Sequence, residues 1–174
     1  MAEYAWLHLT TGPPAVHLRL LELARRHGLR VAVDPAQEIH YRWSASAFRT
    51  LVAGAEILFG NRSEIARALE LLGLREPEEL TAIVPLVVRT DGPRGAVAFA
   101  RGSTVRVRAR RAARVRSLVG AGDAFRGGFY AGWFEGAPLA GCLEAGTRAA
   151  ARWIGGTPSR GGPMEMHAFG PLLP

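Results

Sequence analysis

Hydrophobic and polar positions along the chain switch between a strand-like and a helix-like period, and the switches divide it into elements. Tyr4–Leu9 is a short apolar run ended by Thr10-Thr-Gly-Pro-Pro14. The tandem proline suits a helix start, where a missing N–H costs no hydrogen bond. Val16, Leu20, Leu23, Ala24 and His27 then share one helical face, and Gly28 is a natural stop. Leu29–Val33 is an apolar strand ending at Asp34-Pro35. A helix over Ala45–Ala53 leads to a strand, Glu56–Phe59, and a break at Gly60-Asn61. Asn61 or Ser63 can cap the next helix, whose Ile65, Ala68, Leu69 and Leu72 form one stripe before Gly73.

A short helix near Pro77–Ala82 precedes a strand over Val84–Thr90. The turn Asp91-Gly-Pro-Arg-Gly95 follows, then two or three strands across Ala96–Val119 with a turn at Arg101-Gly-Ser103. The last third reads as two helices, about Gly122–Glu135 and Pro138–Ile154, with a Gly/Pro-rich tail. Strands alternating with helices predict an α/β domain over residues 1–174, a mostly parallel sheet flanked by helices. The late β-rich stretch adds an antiparallel edge. Ligands in such sheets bind at the carboxyl ends of strands, where Asn61, Thr90 and the turn at 120–123 fall.

Composition narrows the chemistry. The 174 residues are 48% hydrophobic and 21% charged, enough for a packed core and against disorder. No apolar run approaches the ~18–20 residues that span a bilayer, and the N-terminus lacks a basic signal-peptide region. The expected location is cytoplasmic, without membrane partners. All 22 basic residues are arginine, which excludes a P-loop lysine and Schiff-base chemistry. The single Cys142 excludes an internal disulfide and a multi-cysteine zinc site; its Ala-Gly-Cys-Leu setting reads as a small buried apolar position. The five histidines are scattered, so no metal ligand set is expected. Aspartate occurs only at 34, 91 and 123. The net charge of +7 raises the question of nucleic acid. The densest basic stretch, Arg106–Arg116, begins by alternating Arg with Val and Ala, the period of a strand with one wet face. No aromatic residues interleave with these arginines, so a basic nucleic-acid-binding module ranks as the weakest reading.

The most specific stretch is Ser117-Leu-Val-Gly120-Ala121-Gly122-Asp123-Ala-Phe-Arg-Gly-Gly-Phe129. Small residues let the backbone approach a ligand closely, and the helix that opens there offers unpaired N–H groups and the positive end of its dipole. Asp123 beside those amides could accept the proton of an attacking hydroxyl, or could simply cap the helix.

Gly120-Ala-Gly-Asp123 followed by Ala-Phe-x-Gly-Gly-Phe resembles the second signature of the ribokinase-like, phosphofructokinase B-type (PfkB) carbohydrate kinases. Asp34-Pro35 resembles the family's Asp-Pro-Asn segment, Asn61-x-x-Glu64 its Asn-x-x-Glu motif, and Thr90-Asp-Gly92-Pro-Arg-Gly95 its Thr-x-Gly-x-x-Gly turn. The resemblance implies an ATP-dependent kinase acting on a sugar or sugar acid with Mg2+. Asp123 would be the base, and the amides of Gly120, Ala121 and Gly122 would hold the transferring phosphate. Asn61 and Glu64 would serve the metal–phosphate side, and Thr90, Gly92 and Gly95 would shape the ATP pocket. Asn61 is also a natural helix cap, Glu64 a first-turn acid, and Gly92 and Gly95 turn residues. Arg126, just past the base, reads as solvated or as reaching a phosphate. The Gly155–Gly162 stretch would close over adenine.

Departures from the pattern qualify the resemblance. Ser117-Leu118 stand where the family usually has an Asp and a small residue that help hold a monovalent cation, and Ala36 replaces the Asn of Asp-Pro-Asn. The chain matches only the later part of a full family member, so the sheet is expected to be truncated on its N-terminal side. Its exposed edge would be covered by self-association or by a complementing partner. The alternative to an active kinase is a relative that at most binds nucleotide.

Overall fold

A computed structural model of the chain describes residues 4–112 and 114–156. Six strands form one sheet: β1 (Trp6–Leu9), β2 (Arg30–Val33), β3 (Ile57–Asn61), β4 (Leu86–Thr90), β5 (Ala96–Ala100) and β6 (Ser103–Val107). They lie in chain order, with β1–β4 parallel and β5 and β6 antiparallel. The mostly parallel sheet with an antiparallel edge is the architecture expected. β3 and β4 are near-continuous apolar runs because both faces of the sheet are covered.

Three helices cover one face: α1 (Pro14–Arg26), α2 (Ala45–Ala53) and α3 (Arg62–Leu72). Their core contains Phe48, Leu51, Leu58, Val87 and Phe99. The second face is covered by α4 (Ala121–Phe134) and α5 (Leu139–Gly155), with Phe125 and Phe129 of α4 clustered with Ile57, Phe59 and Val88 of the sheet. Full burial of each such side chain contributes about 1.5–3 kcal/mol, and this second core seats α4 against the sheet. Cys142 is buried within it, as expected of a small apolar residue. No described helix is long and apolar enough to cross a membrane.

Three details differ from the sequence expectation. The buried face of α1 is His17, Leu21 and Ala24, whereas Val16, Leu23 and His27 are exposed. Leucines at 18, 20, 21 and 23 offer more than one apolar stripe, and packing selects the one that stacks His17 on Trp43, with ring centroids 5.6 Å apart. β3 does not break at Gly60-Asn61, because Gly60 pairs with Arg89 and Asn61 with Thr90 in register. Two described strands, β5 and β6, run from Ala96, within the two or three expected, and beyond them Arg116 N–H donates to the Ile154 carbonyl at the end of α5 (2.8 Å). Pro77–Ala82 is a short 3-10 helix, as expected, while a second one that was not expected, Ala36–His40, follows Asp34-Pro35.

β1 ends the sheet on the side away from β6. Trp6 is packed edge-on by Trp133 and Phe134 of α4, at 6.2 and 6.1 Å, and the Arg30 guanidinium lies 4.3 Å over its ring.

Candidate active site

The parallel register carries several strands to one common end. Asn61 of β3 sits beside Thr90 of β4, and Asp34 follows β2 with its N–H bonded to the Leu9 carbonyl of β1 (2.8 Å). The N-terminus of α4 arrives at the same end. Gly120 precedes it with φ +82°, and a Cβ there would stand 2.9 Å from the Trp153 indole, so only glycine fits. Trp153 Nε1 donates to the Val119 carbonyl (2.6 Å), which ties this turn to α5.

No side chain caps α4. Ala124 N–H donates to the Gly120 carbonyl (2.9 Å), the first helical bond, and Ala121 N–H donates to the Leu118 carbonyl (3.2 Å). Ala121 N–H, which the resemblance assigns to the phosphate, is engaged by a tight turn here. Gly122 lies in the first turn, where helical geometry supplies no intrahelical acceptor for its N–H.

Two cavities meet at Gly122. The larger, about 940 Å³, is lined by Thr90, Gly92, Gly95, Arg108, Arg110 and Ala121 among others. The smaller, about 130 Å³, is lined by Asp34, Asn61, Glu64, Thr90, Gly122 and Arg126 among others. Thr90, Gly122 and Phe125 line both, so the spaces are contiguous around the start of α4. Gly120 and Asp123 line neither.

Gly92 and Gly95 are turn residues and cleft walls at once. Asp91 N–H donates to the Gly95 carbonyl (2.8 Å), and Gly95 has φ +109° with a virtual Cβ 2.0 Å from the Val107 carbonyl oxygen. This contact holds the turn against the end of β6. Asp91 is buried beneath it. Burial pushes its carboxyl up, but Arg89 and Arg62, each 3.0 Å away, outweigh that and hold it below the usual carboxylate range.

Asn61 and Glu64 form a capping box. Asn61 Oδ1 accepts from Ser63 N–H (2.9 Å) and Glu64 N–H (3.0 Å), and Asn61 N–H donates to Glu64 Oε2 (2.6 Å). The capping role is thus built, and both residues also face the smaller cavity.

Asp123 is exposed, with 76% of its side chain accessible, and its Oδ1 is paired with Arg126 one turn along α4. Arg126 is mostly buried and pairs through its other terminal nitrogen with Asp34 Oδ2. Neither a solvated arginine nor a phosphate contact anticipates this bridge. Its sequence signal is the three-residue Asp123–Arg126 spacing, which puts both on one helix face. Asp34 Oδ1 accepts the Ala36 N–H (2.9 Å), the strand-end turn that Asp-Pro suggests. Ala36 reaches it with φ +49°, a left-handed conformation costly for alanine. Burial raises the Asp34 carboxyl to about 6, against the opposing pull of Arg126. Nearby, Tyr130 O–H and His8 Nδ1 are 2.7 Å apart. Burial, assisted by Arg126, lowers His8 to about 4. His8 Nε2 is buried with no hydrogen-bond partner among the described residues.

A profile described as pfkB family carbohydrate kinase matches residues 2–160. The chain belongs to this family. It is 33% identical over 141 residues to a nucleoside kinase of Methanothermobacter thermautotrophicus, covering 78% of this chain and 43% of that protein. It is 33% identical over 152 residues to a cytidine kinase of Thermococcus kodakarensis, covering 82% and 52%. Among solved structures, the nucleoside kinase of Methanocaldococcus jannaschii, described as an archaeal member of the ribokinase family, superposes with a TM-score of 0.80 at 26% identity over 86% of this chain and 49% of that one. The chain spans about half the length of the curated relatives it matches. The expected closure of Gly155–Gly162 over adenine falls, beyond Gly156, outside the described residues.

Proposed function

We propose that the chain is the donor-binding, base-bearing part of a nucleoside kinase, which moves the terminal phosphoryl group of ATP to a sugar hydroxyl of a nucleoside. The observation that carries this reading is the uncapped first turn of α4, placed where a nucleotide-sized cleft meets an acid-lined cavity. Family membership supports phosphoryl transfer. The relatives' names support a nucleoside acceptor in place of the free sugar or sugar acid that the motifs suggest.

The donor fits the larger cleft. Its volume is within the usual range for small-molecule sites, and Arg108 and Arg110 on its wall suit phosphate charge. Thr90, Gly92 and Gly95 line the same cleft. Among the described residues no group of three or more His, Cys, Asp or Glu could hold a metal ion by itself. Mg2+ fits nonetheless as an ion carried on the donor's phosphates, because it keeps much of its water and needs only one or two carboxylates. Glu64, on the smaller cavity, would supply one. When bound, Mg2+ would neutralise phosphate charge.

In this reading Asp123 takes the proton of the acceptor hydroxyl as its oxygen bonds to the terminal phosphorus. The bond from that phosphorus to the bridging oxygen breaks, and ADP leaves with the electron pair. Gly122 N–H and the helix dipole stabilise charge on the group in flight, where fixed donors are most effective. Gly120 acts by shaping the turn.

A nucleotide-binding relative without turnover is the second reading, favoured by the exposure of Asp123 and its engagement with Arg126. β1, with β2 as its one partner in the described sheet, supports association with another polypeptide along that edge. Calorimetry with ATP–Mg2+, followed by ADP release against nucleosides, free ribose and sugar acids, separates the readings. ADP release with a nucleoside and not with ribose is the expected result. ATP binding without release supports the second reading, and salt-sensitive DNA binding without ATP binding would support the basic module instead.

A further inference from the structure

We propose that Arg126 is a positioning residue for the base: anchored on buried Asp34, it holds the exposed Asp123 carboxylate over the first turn of α4 and yields Oδ1 when an acceptor hydroxyl arrives. The inference rests on the kinase reading for its chemistry, but the bridge itself stands on geometry.

An exposed aspartate samples several staggered rotamers, and an isolated surface ion pair one turn along a helix does little to choose among them. Arg126 is not such a partner. Only 17% of its side chain is accessible, and only 6% of that of Asp34. Asp34 is fixed in turn, Oδ1 by the Ala36 N–H and its backbone by the Leu9 carbonyl. The sequence of contacts therefore runs from the end of β2, through a buried carboxylate and a near-buried guanidinium, to the candidate base. A buried guanidinium without a counter-charge is strongly unfavourable, so Asp34 fixes where Arg126 rests.

A guanidinium suits this task because it can direct separate N–H groups at two carboxylates. One terminal nitrogen meets Asp34 and the other Asp123. The remaining neighbours do not compete for it. His8 of β1 is kept neutral at ordinary pH by burial, and Tyr130 of α4, whose hydroxyl burial raises above its usual range, stays protonated against His8. Glu64 of α3 faces Asp34 across the cavity and is engaged with the Asn61 N–H. Losing Asp123 to a substrate hydroxyl leaves Arg126 still paired with Asp34, so the base can be released without stranding a buried cation.

The test uses Arg126→Gln, Arg126→Lys and Asp34→Asn in the full chain, read in two ways. With three aspartates in the protein, carboxyl carbon-13 NMR of aspartate-labelled protein follows each separately, and Asp91 reports whether the fold is intact. In the native chain Asp34 titrates near 6, and in Arg126→Gln it moves upward, because an opposing positive charge is gone. In turnover with ATP and a nucleoside, Arg126→Gln lowers kcat about tenfold or more with KM for ATP within about twofold. Arg126→Lys recovers part of that, and the double variant Arg126→Gln/Asp34→Asn loses little more than the worse single variant, since both break one linkage.

An Asp34 titration that ignores Arg126→Gln would show that the bridge does not exist in solution and overturn the proposal. A shifted titration with unchanged kcat would reduce Arg126 to a structural ion pair and overturn it as well. A native chain that transfers phosphate to no nucleoside defeats the kinase reading and the positioning role with it, while the titration still decides the bridge.

Discussion

Asp123→Asn lowers nucleoside-dependent ADP release by about 10²–10⁴-fold, the usual range for removing a positioned general base. The amide is nearly isosteric and keeps the helix start, because α4 takes no side-chain cap and its first bond is Ala124 N–H to the Gly120 carbonyl. The variant therefore folds, and affinity for ATP–Mg2+ stays within about twofold because Asp123 does not line the nucleotide-sized cleft. What is lost is a carboxylate that can take a proton and pair with Arg126. Steady-state kinetics with calorimetry on the same samples gives both numbers. Equal turnover in native and variant chains would remove Asp123 from the chemistry.

The second large effect is one of sign. The Asp34 carboxyl is raised to about 6 in the folded chain, so the folded state holds that proton more tightly than the unfolded state, whose reference is 3.8. Its stability contribution is fully present below the unfolded value and is lost as pH rises through 6, a change of about 3 kcal/mol. His8 runs the opposite way. It is lowered to about 4 from 6.5, so its contribution is present above 6.5 and lost as pH falls through 4, again about 3 kcal/mol. The two nearly cancel in the native chain across pH 6.5 to 4. Removing either exposes the other. Relative to the native chain, His8→Gln gains stability on acidification across this window and Asp34→Asn loses it, as urea unfolding at several pH values would measure. Differences from native that do not change with pH would contradict the burial of both groups.

Local chemistry made much of this molecule legible. Strand–helix alternation, the Gly28 and Gly73 stops and the Asn61–Glu64 box are short-range signals, and the structure realises them within a residue or two. The Gly120–Gly122 turn was legible for the same reason, as small residues directly before a helix start. Long-range effects were not. Which of two leucine stripes on α1 is buried depends on Trp43, far along the chain. The Arg126 bridge joins residues 92 positions apart, and nothing near Asp-Pro announces that Asp34 will face α4.

On the kinase reading, the first turn of α4 faces the phosphoryl group in transfer while Asp123 faces the acceptor. A crystal structure of the chain with ADP, Mg2+, aluminium fluoride and a nucleoside tests it most directly. The predicted result is a fluoride within about 3 Å of Gly122 N–H and an Asp123 carboxylate oxygen, released from Arg126, at hydrogen-bond distance from a sugar hydroxyl. An aluminium fluoride bound away from α4, or an Asp123 still paired with Arg126 and turned from the nucleoside, would contradict it.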